Sequence, residues 1–153
     1  MSDRIETGQR VLQPAAWTRP RGYANGIVAG GETIFLAGQI GWDEGGKLAE
    51  GLANQVGQAL TNIVTLLAEA GANPKHLVRL TWFVTDLRTY RENQATIGAA
   101  YRRVIGKHFP VMSVIGVPQL VEPAALVEIE ATAVLPPPGI QERACTNGHA
   151  LTT

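Results

Sequence analysis

The sequence has almost no cysteine and no excess of either charge. Cys145 is the single cysteine among 153 residues, so no disulfide can form within the chain. Lysine and arginine together number 13, and aspartate and glutamate together also number 13. A chain without a basic excess is not drawn electrostatically to nucleic acid or to an anionic membrane. We therefore expect neither as a partner.

Long apolar runs are missing as well. No run of about 18 apolar residues is available to span a bilayer, and residues 1–10 contain no apolar segment of the kind that marks a signal peptide. We therefore expect a cytoplasmic protein. With 45% hydrophobic and 17% charged residues, the chain is typical of a globular domain. Residues 1–135 are predicted to form that domain, and the Pro-rich residues 136–153 a flexible tail.

The sequence also lacks the usual patterns for a metal or a cofactor. His76, His108 and His149 stand far apart, outside any HxH, HxxxH or HExxH spacing, and we interpret them as surface or helix-end histidines. Neither GxGxxG nor GxxxxGK(S/T) occurs, so no phosphate-binding loop is indicated. Cys145 lies in a polar stretch that does not favour a reactive thiolate. We predict a protein that uses neither a metal nor a cofactor.

Hydrophobic periodicity predicts an α+β domain. Apolar residues at three- and four-residue steps indicate two helices, and β-branched or alternating segments indicate strands. Gly71 and Gly106 stand where those helices should end. We expect a single mixed six-stranded sheet with both helices on one face. The predicted elements, in order, are a short strand over 10–13, a hairpin of 24–29 and 33–38 around Gly30 and Gly31, a helix over 51–70, a strand over 77–85, a helix over 88–105, and strands over 111–117 and 126–134.

Several predicted strands are apolar on both sides. In one of them Phe35 and Ala37 alternate with Ile34 and Leu36. Strands of this kind normally have both faces covered, and two helices on a single face cannot cover both. This pattern predicts that copies of the chain pack their sheets against each other, with a site near the seams.

Two carboxylates share one face of the last predicted strand. Alternation places Glu128 and Glu130 on the side opposite Val127 and Ile129. One interpretation is an ordinary solvated face. The other is a proton-transfer site, because a carboxyl group that becomes partly buried where copies meet can act as a general acid or base. The residues alone leave both interpretations open and do not choose between the two glutamates.

Four segments, in chain order, resemble the motifs of one family. They are similar to a (F/I)xSGQ(I/V) strand, a QxxxNI helix, a (V/F)(Y/F)xxDL strand and a closing (V/I)EIEAIA strand. The four segments are Ile34–Asp43, Gln58–Ile63, Phe83–Leu87 and Val127–Ala131. Over about residues 20–135 the chain therefore resembles the Rid family, the YjgF-like reactive-intermediate deaminases.

The resemblance implies an assembly, a chemistry and a set of site residues. It implies a homotrimer whose sheets form a central barrel, with the helices outside and three clefts between subunits. The implied reaction is the cofactor-free hydrolysis of an imine or enamine to a carbonyl compound and ammonia. The first glutamate of the closing motif corresponds to Glu128, the implied catalytic acid or base. For substrate binding, Tyr23 corresponds to the tyrosine of the family's GPY segment, and Ala37 and Gly38 to its SGQ turn.

One strand departs from the family pattern. Where the archetypal PARSxV motif has an arginine that binds the substrate carboxylate, this chain has Met112, and where a cysteine often follows it has Val114. Methionine offers neither a charge nor a donor, so the bidentate carboxylate clamp is lost. Arg19 and Arg21 are near Tyr23 in sequence, but a surface position is favoured for both.

Two functions of different class therefore remain open. The first is a deaminase for a neutral or differently charged imine rather than an archetypal 2-iminoacid, with Tyr23, Met112 and Val114 lining its substrate pocket. The second is a non-catalytic trimer that binds a small apolar ligand or a protein partner, for which a methionine-lined cleft is suited. RNA cleavage is a weaker third interpretation, because the net charge is zero and no histidine pair occurs.

Overall fold

The computed structural model describes residues 7–139. The predicted α+β class is confirmed, with helices and a mixed sheet. The helices are α1 (Leu52–Glu69), α2 (Leu87–Glu92) and α3 (Gln94–Val104), and a 3-10 turn spans Pro74–His76. The strands are β1 (Arg10–Leu12), β2 (Gly26–Val28), β3 (Glu32–Gln39), β4 (Leu77–Val84), β5 (Val111–Gly116) and β6 (Val127–Leu135).

Within residues 7–139 the strands form two sheets, so the expected single six-stranded sheet is wrong. One sheet pairs β1 with β2, and the other has the order β3-β6-β4-β5, with β4 and β5 parallel and the other neighbours antiparallel. The predicted hairpin between residues 24–29 and 33–38 is also wrong. The N–H of Ala24 donates to the carbonyl of Pro110 at 3.0 Å, which anchors this segment beside β5, at the sheet edge farthest from β3.

Both long helices contribute to one core on the same face of the sheet, as predicted. Leu60 and Ile63 of α1 are fully buried and belong to the same core as Tyr101 of α3, Leu80 of β4 and Ile129 of β6. Each large apolar side chain that is fully buried contributes about 1.5–3 kcal/mol to folding. This core holds β4 and β6 in place, and these two strands carry much of the open face described below.

Helix α1 ends where the sequence predicts. Gly71 adopts a left-handed φ of 69°, which costs glycine little because it has no Cβ. Its N–H donates to the Ala68 carbonyl at 3.0 Å, and the N–H of Ala72 donates to the Leu67 carbonyl at 2.9 Å. These two bonds form a Schellman motif that satisfies the last carbonyls of the helix.

The predicted helix over 88–105 is divided into α2 and α3 at Asn93. The backbone of Asn93 leaves the helical region with φ −111° and ψ 19°, and its side-chain amide donates to the Thr89 carbonyl at 2.8 Å. An asparagine side chain that bonds to a nearby backbone group competes with helix continuation in this way. Asp86 caps the start of α2 by accepting from the N–H groups of Arg88 and Thr89.

The opposite face of the four-stranded sheet is open in the part of the chain that the structure describes. Phe35 is 79% exposed there, and its register partner Thr132 lies opposite Arg79 of β4. The register of β4 shifts between Leu77 and Arg79. Leu77 is therefore buried in the core, whereas Val78 is half-buried.

Some predictions concern residues that lie outside the described range. These are Cys145, His149 and most of the expected tail, over 140–153. Among residues 7–139, no helix has the length and apolarity needed to cross a membrane. The cytoplasmic location stays a prediction.

Candidate active site

Glu128 lies on the open face of β6. Its neighbours Val127 and Ile129 are fully buried against the helices, while Glu128 is half-buried and Glu130 is exposed. The predicted alternation of this strand is confirmed. Because β6 is an inner strand, with β3 on one side and β4 on the other, hydrogen bonds on both edges fix the position from which the Glu128 side chain projects.

Gly38 lies directly beneath the Glu128 carboxyl group. A Cβ built on Gly38 would meet Glu128 Oε1, with Cδ at 2.7 Å and Cγ at 2.8 Å. The register between β3 and β6 shifts between Leu36 and Gln39, which is the signature of a β-bulge and turns the backbone locally. The structure therefore brings together two predicted site residues, Glu128 and Gly38, and leaves Ala37 exposed beside them.

Two polar residues of α1 hold the chain that follows Gly38. The Asn62 amide donates to the carbonyls of Ile40 and Trp42 at 3.2 and 2.9 Å. Gln58 donates to the Asn62 side-chain oxygen at 2.9 Å and orients it. The sequence comparison with family motifs included this Gln58–Ile63 segment without assigning a role to it. In the structure its role is to position the backbone next to the candidate carboxylate.

Gln55 holds the loop that leads into β6. It is only 3% exposed, its amide donates to the carbonyls of Ala49 and Ala124, and its oxygen accepts from the N–H of Leu126 at 2.7 Å. Sequence reasoning missed this residue. The available signal was a glutamine between apolar positions on the buried stripe of α1, since a buried polar side chain normally has hydrogen-bond partners.

Tyr23 and Met112 line a cavity of about 450 Å³ beside β5. The cavity lies between the β1–β2 ribbon and the β4–β5 pair, and its wall also includes Arg79 and Ser113. Val114, the other apolar residue predicted on β5, packs against the core and is not on the cavity wall. A single chain therefore places Tyr23 and Met112 away from Glu128, whereas it places the predicted residues Ala37 and Gly38 beside Glu128.

The predicted site residues thus form two groups in one chain. Met112 pairs with Leu80, and Glu128 pairs with Phe83 on the other side of β4. Two strand spacings and three residues along the strand separate the two backbones by roughly 14 Å. Met112 also packs against the core on the helix face, whereas Glu128 is on the open face. One chain alone does not bring both groups around one small substrate.

Arg79 is a cation that sequence reasoning did not assign to the site. It contributes to the wall of the Tyr23–Met112 cavity and to that of a second cavity of about 300 Å³, which also includes Phe35, Ala37 and Glu130. Arg19 and Arg21 are exposed and line neither cavity.

Two histidines are held in a polar cluster below β4. His76 is 6% exposed, so its interpretation as a surface residue is wrong, although it does end the 3-10 turn. Its Nδ1 accepts from the N–H of Asn73 at 3.0 Å, and His108 Nε2 donates to the Leu77 carbonyl at 2.7 Å. Burial lowers the pKa of both imidazoles below the ordinary value, because it disfavours the charged form. The cluster lies away from Glu128 and serves the fold.

Comparison with known proteins assigns this arrangement to a family. A family model described as "Endoribonuclease L-PSP" matches residues 15–135, the stretch that contains Tyr23, Met112 and Glu128. The chain belongs to the YjgF/RutC/Rid family. A "RutC family protein" of Aquifex aeolicus is 36% identical over 102 residues, which cover 66% of this chain and 79% of that protein.

Two further relatives of this Rid-family chain are informative. A "2-iminobutanoate/2-iminopropanoate deaminase" of Salmonella typhimurium is 34% identical over 116 residues, covering 73% of this chain and 86% of that protein. The crystal structure of the Rid-family protein YyfB from Yersinia pestis superposes with a TM-score of 0.74 at 34% identity, covering 83% of this chain and 98% of that one. The family predicted from the four motifs is confirmed.

Proposed function

We propose that this protein hydrolyses a reactive imine or enamine to a carbonyl compound and ammonia, with Glu128 as the acid and base and without a cofactor. The observation that carries the proposal is the position of the Glu128 carboxyl group against Gly38. Gly38 lies in the β-bulge of β3 and has no side chain, so a small substrate can approach the carboxyl group there. Relatives about 30–34% identical are named imine deaminases, which supports the same general chemistry here.

The chemistry needs one group that can give and take a proton. Water adds to the carbon of the nitrogen-protonated C=N bond, its oxygen forming the new C–O bond as the C=N π electrons move to the nitrogen, while the Glu128 carboxylate takes a proton from that water. The resulting carbinolamine carries both a hydroxyl and an amine on one carbon. Glu128 then returns the proton to the nitrogen, the C–N bond breaks, and ammonia leaves as the C=O bond forms, while the hydroxyl proton passes to the Glu128 carboxylate and from there to water. A single positioned carboxyl group can serve both steps.

We propose that copies of the chain complete the site by assembling as a homotrimer through their open sheet faces. Glu128 and Met112 lie on opposite faces of one chain, so a cleft that contains both groups needs a second copy. The open face exposes Phe35 at 79% and Ile115 at 43%, and exposed apolar surface of this kind marks an interaction site. Sedimentation equilibrium of the wild type and of Phe35→Lys tests the assembly. We expect a trimer for the wild type and a smaller species for the variant.

Unlike an archetypal 2-iminoacid, the proposed substrate does not need a carboxylate-binding arginine at position 112. Met112 and Val114 make this part of β5 apolar and provide no hydrogen-bond donor from their side chains. A substrate whose carboxylate requires an arginine at position 112 is therefore not expected to be turned over well. Neutral imines, or imines whose charged group lies elsewhere, are the proposed class.

Release of ammonia and of the carbonyl product from a panel of enzymatically generated imines tests the proposal. The panel contains carboxylated and neutral imines. Glu128→Gln keeps the size of the side chain and removes its acid–base function, so we expect kcat/KM to fall by about 10²–10⁴-fold. Glu130→Gln is the matched control, since Glu130 is exposed on the same strand and face. Equal turnover by the wild type and by Glu128→Gln would contradict the proposed mechanism.

A non-catalytic binding protein is the second candidate. The observation that favours it is the cavity beside β5, whose wall includes Met112, Leu12 and Ile27. A methionine-lined wall adapts well to apolar ligands. Under this alternative, no imine of the panel is hydrolysed, while small apolar molecules raise the melting temperature. The name of the matched family also includes endoribonuclease, but the net charge of zero gives no electrostatic attraction to RNA.

A further inference from the structure

Gln55 of α1 joins two separate loops through one buried amide group. Its Nε2 donates to the Ala49 carbonyl at 3.1 Å and to the Ala124 carbonyl at 3.2 Å, and its Oε1 accepts from the N–H of Leu126 at 2.7 Å. Ala49 belongs to the loop that connects β3 to α1, and the other two partners belong to the loop that connects β5 to β6. These partners are two acceptors and one donor, a set that a glutamine amide satisfies and a carboxylate does not.

One of these loops leads directly to Glu128. Leu126 is the residue before β6, and Glu128 is the second residue of that strand. The register pairs between β3 and β6 reach Ile129 and do not extend to Leu126. The Leu126 carbonyl accepts from the N–H of Thr85 at 3.1 Å, and the Leu126 N–H is held by Gln55. The Gln55 amide therefore fixes the chain two residues ahead of the candidate carboxylate.

The other loop continues from Gly38. Gly41, three residues further on, is buried and lies against the backbone of Gln55. A Cβ built on Gly41 would be 2.7 Å from Gln55 Cα and 2.9 Å from Gln55 Cβ, so this close approach requires a glycine. The Gly41 carbonyl accepts from the N–H of Ala49 at 2.9 Å, and the Ala49 carbonyl in turn accepts from Gln55. The loop that carries Gly38 therefore rests on Gln55 as well.

We propose that Gln55 is a positioning residue for Glu128, which holds the carboxyl group of that residue against Gly38. The segments that carry Glu128 and Gly38 are both fixed by Gln55, and the carboxyl group lies against Gly38. Gln55 is only 3% exposed and belongs to a helix, whereas Glu128 projects from the open face of the sheet. Gln55 thus acts through the two loops and does not contact the substrate. Its effect on the reaction rests on the proposed function, whereas its effect on the geometry does not.

Gln55→Glu tests the geometry without reference to activity. The variant keeps the length of the side chain and an acceptor for the Leu126 N–H, and it loses at least one of the two donors. In NMR spectra of the full chain, the nuclear Overhauser effect between Gly38 Hα and Glu128 Hγ should weaken, because the effect falls steeply with distance. Gln94→Glu is the matched control, since Gln94 is exposed on α3, and it should leave the effect unchanged. An unchanged effect in Gln55→Glu would overturn the proposal.

Kinetics on the best imine of the panel test the consequence for the reaction. A displacement of a reacting group by up to 1 Å lowers the rate by about 10–10²-fold, so we expect kcat of Gln55→Glu to fall by that factor. KM should change little, because an interaction made in the transition state is lost and substrate binding is not. In a Glu128→Gln background the same substitution should have almost no further effect, since Gln55 acts through that carboxyl group. A raised KM with unchanged kcat, or a full additional loss in the Glu128→Gln background, would overturn the proposal.

Gly41→Ala is a second variant that keeps the test decisive if Gln55→Glu does not fold. Its Cβ pushes the loop away from α1 while the Gln55 amide stays in place, so we expect the same weaker effect at Gly38 and the same fall in kcat. The two proposals fail in different ways. Equal turnover by the wild type and by Glu128→Gln refutes the proposed function, and the NMR comparison then still decides the role of Gln55. A fall in Glu128→Gln without a fall in Gln55→Glu or Gly41→Ala overturns the positioning role and leaves the proposed function intact.

Discussion

Substitution of Gly38 by alanine would displace the candidate carboxylate without unfolding the protein. The new Cβ would lie 2.7 Å from Glu128 Cδ, and Cδ must retreat to at least 3.4 Å to reach ordinary contact. The obstructing atoms are the far end of a flexible side chain, so rotation of the Glu128 side chain relieves the clash at low cost. The φ of Gly38 is outside the left-handed region, so the alanine backbone is not strained.

The two consequences of this substitution differ strongly in size. Replacing glycine by alanine at a compatible position stabilises a protein by about 0.4–1 kcal/mol through the unfolded chain, which offsets the cost of moving the side chain. We therefore expect the free energy of unfolding to change by less than about 1 kcal/mol. A displacement near 1 Å at a reacting group costs on the order of 10²-fold in rate, or about 2.7 kcal/mol of transition-state stabilisation.

Urea unfolding and kcat/KM on the best imine of the panel measure the two consequences separately. Gly30→Ala is the matched control, because a Cβ at Gly30 meets nothing within 4 Å, and it should behave as the wild type in both assays. Full activity in Gly38→Ala would refute the assignment of Glu128 as the reacting group. A loss of several kcal/mol in stability would instead refute the argument that its side chain can move aside.

Two further predictions concern the supports of the site and the histidine cluster. Gln55→Ala leaves the N–H of Leu126 and two carbonyls without their buried partner. The free energy of unfolding in urea should therefore fall by about 2–4 kcal/mol. A change below about 0.5 kcal/mol would mean that water replaces the amide. His76 and His108 have folded-state pKa values lowered by burial, so the unfolded chain takes up protons first as the pH falls below about 6.5. The free energy of unfolding should therefore decrease from pH 7.5 to 5.5. This decrease should be smaller in the double variant His76→Gln/His108→Gln. An increase in the free energy of unfolding on acidification would contradict the burial argument.

Patterns that depend on neighbouring residues in the chain predicted the local structure well. The apolar stripe of α1, its end at Gly71, and the alternation that turns Glu128 away from the core are all confirmed. Each follows from a period of 3.6 or 2 residues or from the backbone freedom of one glycine. The four family motifs likewise predicted the family that the comparisons confirm.

Contacts between distant segments were decided only by the tertiary structure. The sequence does not say that residues 24–28 lie beside β5 rather than β3, because strand pairing depends on which edge is free and near. It does not reveal that Met112 and Glu128 lie on opposite faces, or that Arg79 joins Tyr23 at one cavity. These relations arise from register and from the order of strands across the sheet, and local periodicity carries neither. The sequence by itself thus determined most of the helices and strands and the face of β6 on which Glu128 lies, whereas the fold determined which side chains meet.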